Sequence, residues 1–278
     1  MKRKTVLDLH KMKAGNQRIA MITAYDYTMA RLVDAAGVDM VLVGDSLGMV
    51  IQGHDDTLSV TMDDMIYHSK CVSKGLTQAH LTVDMPFMSY QVSIEQALTN
   101  AGRLVKQGKA QSVKLEGGER TAPMIDAIVR AGIPVVGHLG LTPQSIHVLG
   151  GFRVQGRGEE SKQQLLTDAK AIEQSGAFAL VLEMIPLQVT AEIAQVVDIP
   201  IIGIGAGPLC DGQVLVCNDL LGLDTSFHPR FLKRYANLEN PIVSAVKQYV
   251  DEVKEGVFPS SEHSFGSPQQ KAKLARIY

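Results

Sequence analysis

The chain has no tryptophan, only 5% aromatic residues, and three cysteines among its 278 residues. An odd cysteine count with no ladder of spacings argues against a disulfide framework and fits a reducing compartment. Cys71, Cys210 and Cys217 therefore read as reduced thiols. No apolar run has the length of a bilayer span, and the basic first residues lead into nothing that resembles a signal peptide. The expectation is a soluble cytoplasmic protein with no membrane partner. Neither sign of charge is in excess. With 27 basic against 29 acidic residues the net charge is -2, which removes the electrostatic reason to expect nucleic acid as a partner. No Gly-Lys-Ser/Thr ending marks a P-loop.

Glycine is plentiful, at 25 residues, and hydrophobic residues make up 45% of the chain, enough for a large core. The pattern is organised around Val41-Leu42-Val43-Gly44-Asp45-Ser46-Leu47-Gly48. Three aliphatic residues in a row read as a buried strand, and the strand delivers a carboxylate and a hydroxyl at its end. Such a charge is costly unless it meets a cation or hydrogen-bond donors. The same pattern returns in Leu81-Thr82-Val83-Asp84, Val113-Lys114-Leu115-Glu116 and Leu180-Val181-Leu182-Glu183. Carboxylates at the C-terminal ends of successive apolar strands are what an active site at one face of a parallel barrel requires.

Strands are predicted at Arg18–Ala24, Val38–Val43, His80–Asp84, Gln111–Leu115, Ile133–Leu139, Phe178–Leu182, Pro200–Ile204 and Val214–Val216. Helical patterns separate most of them, as crossover connections in a parallel sheet demand. The runs are continuously apolar, as when both sheet faces are covered. The predicted fold is α/β, a (βα)8 TIM barrel forming a single catalytic domain over residues 1–278. A short N-terminal helix (Thr5–Lys13) precedes it. A helical tail, with helices at Pro229–Tyr235 and Val243–Glu255, follows it. The stretch 140–158 reads as a long polar excursion of the kind used for lids and binding loops.

Asp45, Asp84 and Glu116 leave strands two, three and four, so their ends can reach one cation. Oxygen ligands with no His-x-His or cysteine pair nearby suit Mg²⁺. The competing reading for any one of them is a helix cap. Lys114 lies two residues before Glu116 and points to the same side, as charge compensation or as a clamp on substrate oxygens. His138 can donate to a substrate oxygen, and Glu183 is the candidate general base for a proton next to a carbonyl. Ser46 is read as a hydrogen-bonding partner of the ligand and not as a nucleophile. Gly203-Ile204-Gly205-Ala206-Gly207 after strand seven is a weak phosphate-turn signal.

Together with Thr23-Ala24-Tyr25-Asp26, His68, Asp84-Met85-Pro86-Phe87 and Gly137-His138-Leu139-Gly140-Leu141-Thr142-Pro143-Gln144, these segments resemble the ketopantoate hydroxymethyltransferase family over nearly the full length. The resemblance implies Mg²⁺ held by Asp45, Asp84 and Glu116. It implies a 2-oxo acid contacted by Asp45, Ser46, Asp84, Lys114 and His138, with Glu183 removing its C3 proton. The second substrate is 5,10-methylenetetrahydrofolate, and the assembly a homo-oligomer, typically a decamer. The alternative reading is a Mg²⁺-dependent barrel of the phosphoenolpyruvate mutase and isocitrate lyase type. That type carries a Lys-Lys-Cys-Gly lid segment which this chain lacks.

Overall fold

The computed structural model describes residues 2–226 and 228–265. Its contacts divide the chain into two compact units. The first runs to Cys217 and includes Pro229–Leu232; the second comprises Asn218–His228 and the chain from Lys233 on.

The first unit is a closed barrel in which β1 (Ile19–Thr23), β2 (Met40–Val43), β3 (His80–Asp84), β4 (Ser112–Glu116), β5 (Val135–Gly140), β6 (Ala179–Glu183), β7 (Ile201–Ile204) and β8 (Gly212–Leu215) follow one another in chain order. Every neighbouring pair is parallel, and β8 returns to β1 through Ile19 opposite Gly212. The helices are α1 (Val6–Ala14), α2 (Tyr27–Ala35), α3 (Leu47–Val50), α4 (Met62–Gly75), α5 (Ile94–Lys106), α6 (Ala122–Arg130), α7 (Ile146–Leu149), α8 (Glu159–Gln174), α9 (Leu187–Ile193), α10 (Cys217–Leu221) and α11 (Glu239–Lys254). Their starts follow local chemistry. Thr5 with Asp8, and Thr61 with Asp64, form capping boxes, and the Asp26 side chain accepts from the Met29 N–H.

Alternation along the strands decides what fills the barrel. Ile19, Met21, Met40, Leu42, Val136, Ala179, Val181, Ile202 and Val214 form one apolar cluster. Leu9 of α1 and Phe178 join it, so α1 closes the N-terminal end. The alternate positions of β3 and β4 are polar instead: His80, Thr82 and Asp84 beside Ser112, Lys114 and Glu116. His80 Nε2 meets Ser112 Oγ at 2.9 Å, and Thr82 Oγ1 meets the same oxygen at 2.8 Å. The column from His80 to Asp84 thus carries polar groups from one end of the barrel to the other.

Two expectations need correction. Residues 229–235 are turn and extended chain, not helix. Leu232 N–H closes a turn on the Pro229 carbonyl, Phe231 packs on Gly205, and Tyr235 N–H donates to the Leu220 carbonyl, so the backbone groups are used outside any helix. The excursion at 140–158 is also less irregular than predicted, holding a 3-10 turn at Pro143–Ser145 and then α7.

Candidate active site at the C-terminal end of the barrel

Five strand ends converge on one buried cluster. The Asp45 N–H, two residues past β2, donates to Asp84 Oδ2 at 3.1 Å. Gly44 permits this approach, because a Cβ there would lie 2.9 Å from Ser46 Oγ and 3.4 Å from Asp84 Oδ2. Lys114 Nζ stands 3.1 Å from Asp84 Oδ1 and 3.8 Å from Glu116 Oε1. His138 links β5 to both sides, with Nδ1 3.2 Å from Glu116 Oε1 and Nε2 3.2 Å from Glu183 Oε2. The side chains of Asp84, Lys114, Glu116 and His138 are at most 4% exposed, whereas Glu183 is 17% exposed and reaches solvent. The structure therefore brings together Asp45, Asp84, Lys114, Glu116, His138 and Glu183. Ser46 is at the edge, its hydroxyl 2.8 Å from that of the buried Tyr25.

Burial acts first on every charge here. It pushes the Asp45 carboxyl well above its ordinary value, and the charges of Asp84 and Glu116 push it further. Asp84 is raised by burial as well, with Lys114 opposing. Glu116 ends below its ordinary value, because the His138 contact and the Lys114 charge outweigh its own burial. Lys114 is raised, since the surrounding carboxylates overcome its desolvation. His138 is raised to about 9: burial and Lys114 lower it, but the contacts with Glu116 and Glu183 win. His138 Nδ1 also lies 3.2 Å from Lys114 Nζ, and with the imidazole protonated that proton belongs to Glu116. Asp84 Oδ1 and His138 Nε2 lack a well-aligned hydrogen bond despite charged partners at 3.1 and 3.2 Å.

Helix capping does not explain these carboxylates. Asp8, Asp26 and Asp64 cap helices, but the Asp45 carboxylate accepts from the side chain of Gln144, and Asp84 and Glu116 turn into the barrel. The segment Gly44-Asp45-Ser46-Leu47-Gly48 has the Gly-x-Ser-x-Gly spacing of a nucleophile elbow between a strand and a helix. The Ser46 hydroxyl is engaged by a tyrosine and not by a histidine base, so no triad is assembled on it. After β7, the Ala206 carbonyl accepts from the Thr190 hydroxyl and the Gly207 carbonyl from Gln213. Both bonds engage carbonyl oxygens of that glycine-rich turn and not the N–H groups that a phosphate would use.

Among the described residues no three His, Cys, Asp or Glu side chains make a ready metal cage. The cluster nevertheless suits a divalent cation by its charge. Four carboxyl groups (Asp45, Asp84, Glu116 and Glu183) surround the two basic groups Lys114 and His138, a formal excess of two acids that a divalent cation would balance. The donors are hard oxygens, as Mg²⁺ prefers.

A model of the family described as ketopantoate hydroxymethyltransferase matches residues 3–261. The chain belongs to the ketopantoate hydroxymethyltransferase family. Among its relatives, the 3-methyl-2-oxobutanoate hydroxymethyltransferase of Syntrophotalea carbinolica is 59% identical over 264 residues, covering 95% of this chain and 99% of that protein. The protein of the same name from Pelobacter propionicus is 56% identical, covering 95% and 98%. Among solved structures, phosphonopyruvate hydrolase superposes with a TM-score of 0.63 at 12% identity, covering 100% of this chain and 96% of the other. A 2,3-dimethylmalate lyase gives 0.57 at 17%, covering 98% and 94%. At such identities the likeness concerns the barrel fold alone.

Reading strand ends missed two members of this site. Tyr90 and Gln144 are buried polar residues in loops after β3 and β5, and they hydrogen-bond to Glu116 and Asp45. Gln144 closes the sequence motif quoted above, but a loop amide has no periodicity to reveal its burial.

Proposed function

We propose that the chain transfers a hydroxymethyl group to 3-methyl-2-oxobutanoate from 5,10-methylenetetrahydrofolate, with water, giving 2-dehydropantoate and tetrahydrofolate. Near-complete coverage of relatives bearing that name supports the reaction. The observation that carries the mechanism is the gradient across the cluster: buried, mutually repelling Asp45 and Asp84 at the ends of β2 and β3, and the more accessible Glu183 of β6, joined through His138 to Glu116.

Asp45, Asp84 and Glu116 would hold Mg²⁺. When bound, the ion would supply Lewis acidity that stabilises the developing enolate. Lys114 donates to the oxygens of the 2-oxo acid, His138 lies beside them with its positive charge, and Ser46 donates at the rim. Glu183 takes the C3 proton. Water adds to the one-carbon unit as its bonds to the two folate nitrogens break, releasing tetrahydrofolate, and the enolate carbon adds to the resulting formaldehyde, whose oxygen takes up a proton to become the hydroxyl. His138 holds the Glu183 carboxylate in place for that transfer. A cleft of about 480 Å³, lined by Gly117, Gly118, Arg120, Gly140, Thr142 and Gln164 among others, offers room for the second substrate on the same face.

The barrel is of the TIM type in this reading, and the chain acts as one catalytic domain in the cytoplasm. A ring-forming homo-oligomer, the decamer of the resemblance, is part of the same proposal. Its support is α11, which buries none of its own residues and exposes Ile242, Val243, Val246 and Tyr249. Sedimentation of the purified protein as a monomer would reject it.

The reaction is tested by following C3 hydrogen exchange of 3-methyl-2-oxobutanoate in deuterated water. Exchange should need Mg²⁺ and vanish in Glu183→Gln. No exchange by the folded, Mg²⁺-supplied protein would sink the enolate assignment.

A further inference from the structure

Gln144 is 5% exposed and satisfies every hydrogen-bonding atom of its side chain inside the protein. Its Nε2 donates to Asp45 Oδ2 at 2.8 Å and to the Met85 carbonyl at 2.9 Å. Its Oε1 accepts from the Tyr90 hydroxyl at 2.7 Å and from Gln91 Nε2 at 3.2 Å. The Met85 carbonyl can only accept, so the amide cannot be flipped without breaking the set. The Gln144 backbone N–H adds a bond of 3.0 Å to Glu116 Oε2. Tyr90, fully buried, accepts from the Glu116 N–H at 3.1 Å while donating to Gln144. One residue of the loop after β5 thus ties the ends of β2, β3 and β4 and grips two of the three carboxylates assigned to the cation.

We propose that Gln144, held by Tyr90, is a positioning residue that fixes the Asp45 and Glu116 carboxylates for a divalent cation. The inference rests on the cation reading given under Proposed function. Gln144 engages Asp45 through Oδ2 and so fixes the rotation of that carboxylate. It also supplies a donor to each of two carboxylates, its side-chain amide to Asp45 and its backbone N–H to Glu116. Neither role involves contact with substrate.

The test is Mn²⁺ binding to the purified protein, followed by calorimetry and by the Mn²⁺ spin resonance signal, without substrates. Gln144→Met keeps the side-chain length and removes the amide. Its Mn²⁺ affinity should fall about 10- to 100-fold, the usual loss when a partner of a ligand is removed. Its melting temperature in divalent-free buffer should stay within a few degrees of wild type. Tyr90→Phe should lose less, about three- to tenfold, in the same direction. The double variant should bind no more weakly than Gln144→Met, because the two residues act along one chain of bonds. A folded Gln144→Met with wild-type affinity overturns the inference. If that variant does not fold, Tyr90→Phe decides, and unchanged affinity there overturns it as well. Wild-type protein that binds no Mn²⁺ would sink the cation site itself and this role with it. Binding by wild type with an indifferent Gln144→Met sinks only the role of Gln144.

Discussion

The two ends of the barrel hold buried ionisable groups in opposite ways. At the N-terminal end Asp34 accepts from the Thr77 N–H and hydroxyl and from the N–H groups of Gln78 and Ala79. Burial alone would raise its carboxyl, but these donors outweigh it and hold it below its ordinary value. His80 is kept neutral there, pushed by burial to about 4, with Nδ1 donating to the Lys4 carbonyl and Nε2 facing Ser112. At the C-terminal end Asp45 and Asp84 are raised, and Asp84 Oδ1 lacks an aligned donor. One end spends its polar groups on holding strands together. The other keeps Asp45 and Asp84 under mutual repulsion, a state that favours binding of a cation or proton. The fold is the same at both ends; the number of donors per carboxylate separates scaffold from site.

The comparison can be broken experimentally. The largest effect should come from Glu183→Gln, which lowers kcat about 10³-fold in a steady-state assay with almost no change in melting temperature. A large drop in stability instead would make Glu183 a structural residue. Next, Asp34→Asn turns an acceptor toward backbone N–H groups and should cost about 3 kcal/mol, seen as a fall of roughly 5–10 °C in melting temperature with kcat retained.

The His80 effect is of similar size but depends on pH. Its folded value of about 4 lies below that of an unfolded histidine, so the unfolded chain binds the extra proton between the two. Stability should therefore fall by about 3 kcal/mol as the pH drops from 6.5 to 4. Denaturant midpoints of His80→Gln should show a flatter slope in that window; an equal slope would remove His80 as the cause. Asp34 adds its own loss only at lower pH, as the medium falls through its depressed value.

Asp45→Asn should act with the opposite sign to Asp34→Asn. It removes a repelled charge while keeping an acceptor for Gln144, so the divalent-free protein should gain about 1–2 kcal/mol and lose activity. A loss of stability would mean that the cluster is already balanced without a cation. The smallest effect should be that of Thr61→Ala, about 1 kcal/mol from the capping box of α4, with catalysis untouched.

Most of the barrel was readable along the chain. All eight strands fall within about two residues of their predicted spans, because buried parallel strands are continuous apolar runs. The capping box at Thr61 and the cap at Ser93 are equally local, each made with the residue three positions on. The tail was less so. Residues 229–235 carry a helical pattern, yet their backbone and Phe231 are engaged by Gly205 and Leu220. Propensity is a weak signal beside such long-range contacts.

Sequence alone therefore determined that carboxylates stand at the ends of successive parallel strands, and it determined that Lys114 and Glu116 share a face. Both follow from strand length and the two-residue repeat, which are local. Only the tertiary structure decided that Gln144 would grip Asp45 from 99 positions away. It also decided that His138 would bridge Glu116 and Glu183, and that the Asp34 carboxyl would be held below its ordinary value where that of Asp45 is raised. Hydrogen-bond donors and desolvation come from neighbours in space, and closing the barrel chooses those neighbours.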